Sequence, residues 1–392
     1  MQNSFGMGHD CSSDASETDT LDLGGCCSGH LEVAKDKVGR RSDGTRAKRR
    51  RLRFKQPPTA AYSFPLVFAG MMGIRPSQLY LMMVYRLPPV VFWIIQQMDK
   101  AVVNTVDTVE YFAGKKHWSQ AMAAKGLKAL TFELNHDRTF QNFMSSPGFK
   151  HGLEMSMLAK EYLGFAWLAV LCSSWIWLAR GSTHRSEQFP QGPKNCTAKV
   201  EHGNVMASRA ALMMRLYAAR RIESCLENPG NSLLPMFWRM AETIKLLALD
   251  STKIYMGNFG APSKKDMLLW SQSSWTKQLY SKYDSNLQSE LELPLVIKTA
   301  DGKVHGAAGL KDSQTYTPEF GAACAESYMQ WREEVAKETE AFLILDDSKA
   351  CSAPECLDPK FWQTTEPWDD AEMSKLAAEL SLPNDRMPWQ HA

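Results

Sequence analysis

The chain has 392 residues, of which 44% are hydrophobic, and its 45 basic and 43 acidic side chains give a net charge of +2. This composition excludes a fibrous or wholly disordered chain, and the length allows one large α/β domain or two smaller ones. The small net charge excludes a uniformly basic nucleic-acid-binding protein, so any signal of that kind must be local.

Residues 1–58 are rich in Gly, Ser, Asp and Thr and contain few large apolar residues. Such a segment buries too little apolar surface to fold, so we predict a disordered region that ends in a basic arm. The arm is a nuclear-import signal, a phosphate-binding segment or a solvated run, and it is the predicted contact with nucleic acid. Its basic residues are Lys48, Arg49, Arg50, Arg51 and Arg53.

Cysteine usage bears on the compartment and on metal binding. The nine cysteines show no repeating spacing and no secretory leader is expected, which together favour a reducing compartment, either nuclear or cytoplasmic. A group near the amino terminus has the residue types of a zinc site: His9, Cys11, Cys26, Cys27 and His30. The spacing matches no familiar zinc finger, so a metal site there is disfavoured.

Two apolar stretches raise the question of membrane insertion. Residues 63–98 are interrupted by Arg75, Pro76, Arg86, Pro88 and Pro89, which predicts helices within 59–104 that pack beside the main domain. Residues 162–179 are uncharged over about the minimum length that spans a bilayer. We favour a buried parallel strand that runs into a loop, because it has the same hydropathy. A membrane-associated protein is one alternative.

From residue 106 onward, short apolar runs alternate with amphipathic helical patterns, which predicts βαβ units. The predicted strands are 108–112, 128–134, 165–171 and 221–226, followed by a hairpin of 253–259 and 267–271. The predicted helices are 118–125, 200–219, 234–249 and 326–345. We therefore predict an α/β fold, a three-layer α/β/α sandwich with a mostly parallel sheet, in a domain of residues 105–345. An acidic, proline-containing tail of residues 346–392 follows it.

Three predicted strands end in residues that can do chemistry. These ends read FAG at 112–114, LCSSW at 171–175 and LENP at 226–229. Ligands of open α/β sheets bind at the carboxyl ends of the strands, so we expect these three segments to converge on one crevice.

The first of these segments indicates a nucleotide-type ligand. Glu133 lies 19 positions after Gly114, close to the interval at which an acidic side chain reaches a ribose hydroxyl in dinucleotide-binding folds. However, Lys115 and Lys116 follow Gly114 where further glycines are usual. A simple glycine turn with a solvent-facing glutamate explains the same pattern.

The other two segments each allow two interpretations. Cys172 follows an apolar strand in a serine-rich turn, where it is either an exposed thiol or a small core residue. Glu227 is expensive to bury without a partner, so it either caps the next helix or presents a proton to a substrate.

The order of these stretches resembles the motif order of cytosine-5 methyltransferases, whose motifs read Asp-x-Phe-x-Gly, Pro-Cys and Glu-Asn-Val. The turn from Cys172 to Thr183, CSSWIWLARGST, is also similar to methyltransferase-like families predicted in some unicellular eukaryotes. MGNFGAPSKKDMLLWS at 256–271 and LKDSQTYTPEFG at 310–321 resemble late segments of phage-type members. The likeness covers roughly residues 106–331.

This resemblance implies a class I methyltransferase-like Rossmann domain that uses S-adenosylmethionine and acts on nucleic acid. Cys172 would be the nucleophile that adds to a pyrimidine ring, and Glu227 would hold or protonate a ring nitrogen. Phe112, Gly114 and Glu133 would bind the cofactor. The target base would have to leave its stack or be single-stranded.

The chain also departs from the family's motifs. Leu171 stands where a proline is expected and Pro229 where a valine is expected, and the second and third glycines of the cofactor turn are missing. Few residues separate Trp270 from Gly309, which leaves little room for a target-recognition domain. A catalytically inactive methyltransferase fold that binds nucleic acid or protein is therefore the first alternative.

Overall fold

A computed structural model describes residues 74–281, 296–346 and 371–387, apart from short gaps at 264, 303, 308–309, 311–312, 384 and 386. The region predicted to be disordered, with its basic arm and its cysteine–histidine group, lies outside the described residues.

Eight strands form two sheets in the described part of the chain. The strands are β1 (Thr108–Tyr111), β2 (Ala129–Phe132), β3 (Phe165–Leu168), β4 (Glu223–Pro229), β5 (Asp250–Tyr255), β6 (Asp266–Ser271), β7 (Val296–Lys298) and β8 (Val304–Gly306). The larger sheet has the order β2-β1-β3-β4-β6-β5, and β7 pairs with β8 in a separate hairpin. β1 to β4 are parallel, whereas β6 is antiparallel to both β4 and β5.

Ten α-helices accompany the sheets in the described ranges. They are α1 (Pro76–Val84), α2 (Pro89–Gln96), α3 (His117–Ala124), α4 (Ser146–Leu158), α5 (Arg180–Thr183), α6 (Ala198–Ala219), α7 (Trp238–Leu246), α8 (Trp275–Ser281), α9 (Pro318–Asp346) and α10 (Ala371–Glu379). Within the described ranges, every helix is either too short or too polar to cross a bilayer. The apolar run at 162–179 contains β3, a loop and a short 3-10 turn, as the strand interpretation predicted.

The sheet has a separate apolar core on each face because alternate residues of a strand point to opposite sides. On one face Val109, Ala166 and Leu226 pack with residues of α1, α2, α4 and α6. On the other face Phe165 and Trp167 pack with residues of α3, α8 and α9. The predicted α/β class with a mostly parallel sheet is confirmed, and helices on both faces are compatible with three layers.

Several predicted boundaries are wrong for identifiable reasons. β4 runs to Pro229 rather than ending at 226, because β6 pairs with it through Glu227, Asn228 and Pro229. β3 ends at Leu168, so a loop separates it from Cys172. The predicted helix at 234–249 is a 3-10 turn followed by α7, with extended backbone at Phe237 between them.

The sequence interpretation contains no helix between β2 and β3, where the structure has α4. Its first turn contains Pro147 and Gly148, but Pro is acceptable there because the first N–H groups of a helix have no helical acceptor. The Ser145 hydroxyl accepts a hydrogen bond from the Gly148 N–H at 3.1 Å and caps the helix. The Ser-Ser-Pro triplet at 145–147 is the local signal for this start.

Part of the predicted tail is folded onto the main domain. Met373, Leu376 and Ala377 of α10 are buried in the core on the α6 face. Glu372 of α10 forms an ion pair with Arg209 of α6, with 2.8 Å between the carboxylate and Nε. Described residues of the predicted acidic tail therefore contribute to the fold.

Candidate functional site

The candidate site lies at the carboxyl edge of β1, β3 and β4. Within the sheet, β2 lies next to β1 on one flank and β3 lies next to it on the other flank. The strand order therefore reverses between β1 and β3. In open α/β sheets, ligands bind in a crevice at such a point, outside the carboxyl ends of the strands, so this edge is the candidate site.

The loop after β1 has an unusual backbone. Phe112, Gly114 and Lys116 have φ values of 63°, 51° and 62°, in the left-handed region that L-residues rarely occupy. The Phe112 ring packs against Phe143 with 5.0 Å between ring centroids, and the Phe112 N–H donates to the Phe132 carbonyl at 2.8 Å. These contacts hold a conformation that costs on the order of 1 kcal/mol or more.

Gly114 and Glu133 lie side by side. The Gly114 N–H donates to Glu133 Oε2 at 3.1 Å, and Glu133 Oε1 accepts hydrogen bonds from the backbone and side chain of Asn135. A methyl group built on Gly114 would meet no atom within 4 Å, so the space beside its backbone is open. The 19-residue interval therefore places the acidic side chain directly beside the glycine turn.

Cys172 lies in the loop after β3 and is partly buried. Burial raises the pKa of the Cys172 thiol above its ordinary value; the charge of Lys265 lowers it and that of Glu227 raises it. Lys265 and Glu227 therefore both contribute to the electrostatic environment of Cys172. The thiol is protonated at neutral pH in the resting chain, and it is not the preformed thiolate of an activated nucleophile.

Two contacts fix the Cys172 loop. The Asn228 side chain donates to the Val170 carbonyl at 3.0 Å and thereby ties β4 to the loop. Arg185 is buried, stacks on Trp175 with 3.5 Å from its guanidinium carbon to the ring centroid, and donates to the Val200 carbonyl at 2.9 Å. The Arg185 guanidinium is thus enclosed by the Trp175 ring and backbone carbonyls, and it holds the loop against the start of α6.

Glu227 lies inside β4 and is only 6% exposed. Glu227 Oε2 accepts a hydrogen bond from the Tyr316 hydroxyl at 2.8 Å. Glu227 Oε1 is buried and has no hydrogen-bond partner among the described residues. The helix-capping interpretation gains no support from these contacts, and one carboxylate oxygen remains available for a donor.

Sequence reasoning missed Glu110, a fully buried carboxylate in β1. Its Oε2 accepts hydrogen bonds from the Ser119 N–H at 3.0 Å and from the Ser119 hydroxyl at 2.5 Å. An acidic side chain at the first turn of α3 stabilises the helix, which has no side-chain cap at Lys116. Burial raises the pKa of Glu110 to about 7. Its position as the first residue of the Asp-x-Phe-x-Gly-like motif is the sequence signal that could have identified it.

Tyr316 was also missed as a site residue. It lies in the LKDSQTYTPEFG segment, far along the chain from the strands, and sequence order does not reveal that it reaches Glu227. Burial raises the pKa of Tyr316 well above its ordinary value, and the charge of Glu227 raises it further. The phenol therefore stays protonated and donates a hydrogen bond to Glu227.

No group of metal-ligating side chains that could hold an ion occurs among the described residues. No protein-family model matches the chain, and no curated protein matches it either.

Proposed function

We propose that the chain is a divergent S-adenosylmethionine-dependent methyltransferase-like protein that acts on a base in nucleic acid through a cytosine-type covalent mechanism. One observation supports it most: Gly114 with Glu133, Cys172, and Glu227 all lie toward the carboxyl edge of the parallel strands, the first three residues in loops that follow β1, β2 and β3 and Glu227 near the end of β4. They occur in the order of the family's motifs.

The strand order also supports this proposal. Four parallel strands are followed by β5 and β6, and β6 is inserted antiparallel between β4 and β5. This arrangement is similar to that of class I methyltransferases, in which an antiparallel strand also lies beside the last central parallel strand. A doubly wound sheet without that insertion would favour the family less.

The residues beside the crevice fit the cofactor. The positive φ and open flank of Gly114 let a ligand approach the backbone, and Glu133 Oε2, which accepts the Gly114 N–H, can accept a second hydrogen bond from a ligand hydroxyl. Phe112, with its ring held against Phe143, would border the cofactor through its backbone. Lys115 is exposed, which leaves the turn accessible. The bound cofactor supplies a methyl group carried on a positively charged sulfur.

Cys172 and Glu227 would act on the target base. Cys172 Sγ would add to an electron-poor ring carbon while its proton leaves to solvent, and the adjacent ring double bond would open, so that its electron pair becomes available on the neighbouring carbon that takes the methyl group. Loss of a proton from that carbon and release of the Cys172 thiolate would then restore the double bond. Glu227 Oε1 would bind the ring nitrogen or the amino group beside it, since this oxygen is desolvated and lacks a partner among the described residues. Lys265 favours the ionised thiol at the moment of attack, because its charge opposes the effect of burial.

The first experiment is a calorimetric titration of the full chain with S-adenosylmethionine, followed by a methyl-transfer assay on a single-stranded, cytosine-containing oligonucleotide. We expect saturable cofactor binding and transfer to the base. No detectable binding at millimolar cofactor would contradict the proposal. A Glu333→Gln variant, which changes an exposed carboxylate on α9, controls for nonspecific effects of charge.

The catalytically inactive fold remains the second candidate, and the protonated, partly buried Cys172 thiol favours it. The same assays separate the two functions. Cofactor binding and oligonucleotide binding without methyl transfer would support the inactive fold, whereas transfer that Cys172→Ser abolishes would support the enzyme.

A further inference from the structure

The Tyr316 hydroxyl lies between two polar groups on neighbouring strands. It accepts a hydrogen bond from Trp167 Nε1 at 3.0 Å and donates one to Glu227 Oε2 at 2.8 Å. An indole N–H can only donate, so the direction of the first bond is certain and the phenol proton is left for the carboxylate. The two hydrogen bonds therefore run in one direction, from Trp167 to Tyr316 and from Tyr316 to Glu227.

Further contacts hold the Tyr316 side chain and backbone in place. The ring packs against Trp167 at 6.0 Å and against Phe320 at 5.1 Å between centroids. The Tyr316 carbonyl lies 2.6 Å from His117 Nδ1, at the start of α3. The next residue, Thr317, accepts the Phe320 N–H at 3.2 Å at the start of α9. Tyr316 is thus held against α3, α9 and β3, in addition to its hydrogen bond to Glu227 of β4.

This arrangement makes the two oxygens of Glu227 inequivalent. Oε2 is engaged by Tyr316, while Oε1 is buried and has no partner among the residues that the structure describes. A buried carboxylate oxygen without a donor is costly, so Oε1 is the atom that gains most from a ligand N–H.

We propose that Tyr316 is a positioning residue that fixes Glu227 Oε2 and so presents Oε1 to the N–H groups of the target base. This role rests on the proposed function, because it requires Glu227 to bind a substrate. Tyr316 itself does not contact the base.

The kinetic test compares two Tyr→Phe variants of the full chain. Tyr316→Phe should lower the turnover number for methyl transfer about 10- to 100-fold, the range expected from losing one hydrogen bond to a charged group. KM for S-adenosylmethionine should stay within about twofold, because the cofactor contacts lie at Gly114 and Glu133. The matched control is Tyr328→Phe: Tyr328 belongs to the same core but donates to the Leu163 carbonyl, before β3 begins. This control should keep the wild-type turnover number.

A spectroscopic test does not depend on activity. In protein labelled with ¹⁵N at its 12 tryptophans, the Trp167 indole N–H resonance is identified by its loss in Trp167→Phe. Glu227→Gln should shift this resonance in the wild-type background, because the change passes through the Tyr316 hydroxyl. In a Tyr316→Phe background the same substitution should leave it in place.

The two tests distinguish failure of this proposal from failure of the proposed function. A wild-type turnover number in Tyr316→Phe, or an equal loss in Tyr328→Phe, overturns the positioning role. If the wild-type chain transfers no methyl group, the proposed function fails, and this role of Tyr316 fails with it. The indole resonance then still shows whether Tyr316 couples Trp167 to Glu227.

Discussion

Replacing Glu110 with glutamine should remove a large part of the dependence of stability on pH. Burial in β1 raises the pKa of Glu110 from 4.5 to about 7, and hydrogen bonds from Ser119 only partly oppose this effect. Below pH 4.5 the carboxyl is protonated in the folded and unfolded states, so its contribution to stability is fully present. As the pH rises through 7, the unfolded chain has already released the proton that the folded chain must give up, and this contribution is lost.

The magnitude follows from the two pKa values. The interval from 4.5 to about 7, at about 1.4 kcal/mol per pH unit, corresponds to a loss of about 3 kcal/mol in the free energy of unfolding. Glutamine stays neutral throughout, and its side-chain oxygen can still accept the Ser119 N–H. Between pH 4.5 and pH 8, the free energy of unfolding of Glu110→Gln should therefore rise by about 3 kcal/mol relative to that of the wild type.

Urea-induced unfolding followed by circular dichroism, at half-unit steps from pH 4.5 to 8.5, measures this difference. Groups other than Glu110 titrate equally in both proteins and cancel. In Glu333→Gln, an exposed change on α9, the free energy of unfolding should change with pH as it does in the wild type. Parallel curves for Glu110→Gln and the wild type, or a difference that shrinks with rising pH, would refute the argument from burial.

The remaining predictions concern the site, the carboxyl-terminal helix and the basic arm. Cys172→Ser should abolish methyl transfer and covalent trapping while S-adenosylmethionine affinity, measured by calorimetry, changes less than about twofold, because the thiol acts on the base. Glu133→Gln should weaken cofactor binding by roughly 1.5 to 3 kcal/mol in the same titration, since it replaces a charged acceptor; unchanged affinity would exclude Glu133 from the cofactor site. Arg209→Met should lower the free energy of unfolding by about 3 kcal/mol in urea, because it removes the ion pair with Glu372 and the hydrogen bond to the Phe143 carbonyl; a loss below about 1 kcal/mol would mean that α10 is held by its apolar contacts. Deletion of residues 48–53 should weaken oligonucleotide binding and flatten its salt dependence in fluorescence titrations, and an unchanged slope would reduce the arm to an import signal or a solvated run.

The amino-acid sequence alone determined the parts of the fold that depend on neighbouring residues. Short apolar runs separated by helical patterns predicted β1, β2 and β3, and the last two core strands as a hairpin, because hydrophobic period and turn residues act over a few positions. The pairing of Gly114 with Glu133 was also accessible, since a single βαβ step sets that distance.

The tertiary structure decided what depends on contacts between distant segments. β4 extends to Glu227 and beyond only because β6 returns to pair with it, and no local pattern encodes that partner. Glu110 has a raised pKa because α3 and its surroundings exclude water from a strand residue that looks ordinary in sequence. Tyr316 lies two positions before α9 and 89 positions from Glu227 along the chain. It reaches Glu227 because α9 packs against α3 and places the segment before it over the sheet. Local sequence pattern indicates the strands and helices. Burial and long-range hydrogen bonds arise only when those elements pack together, so the electrostatics of the site depend on the tertiary structure.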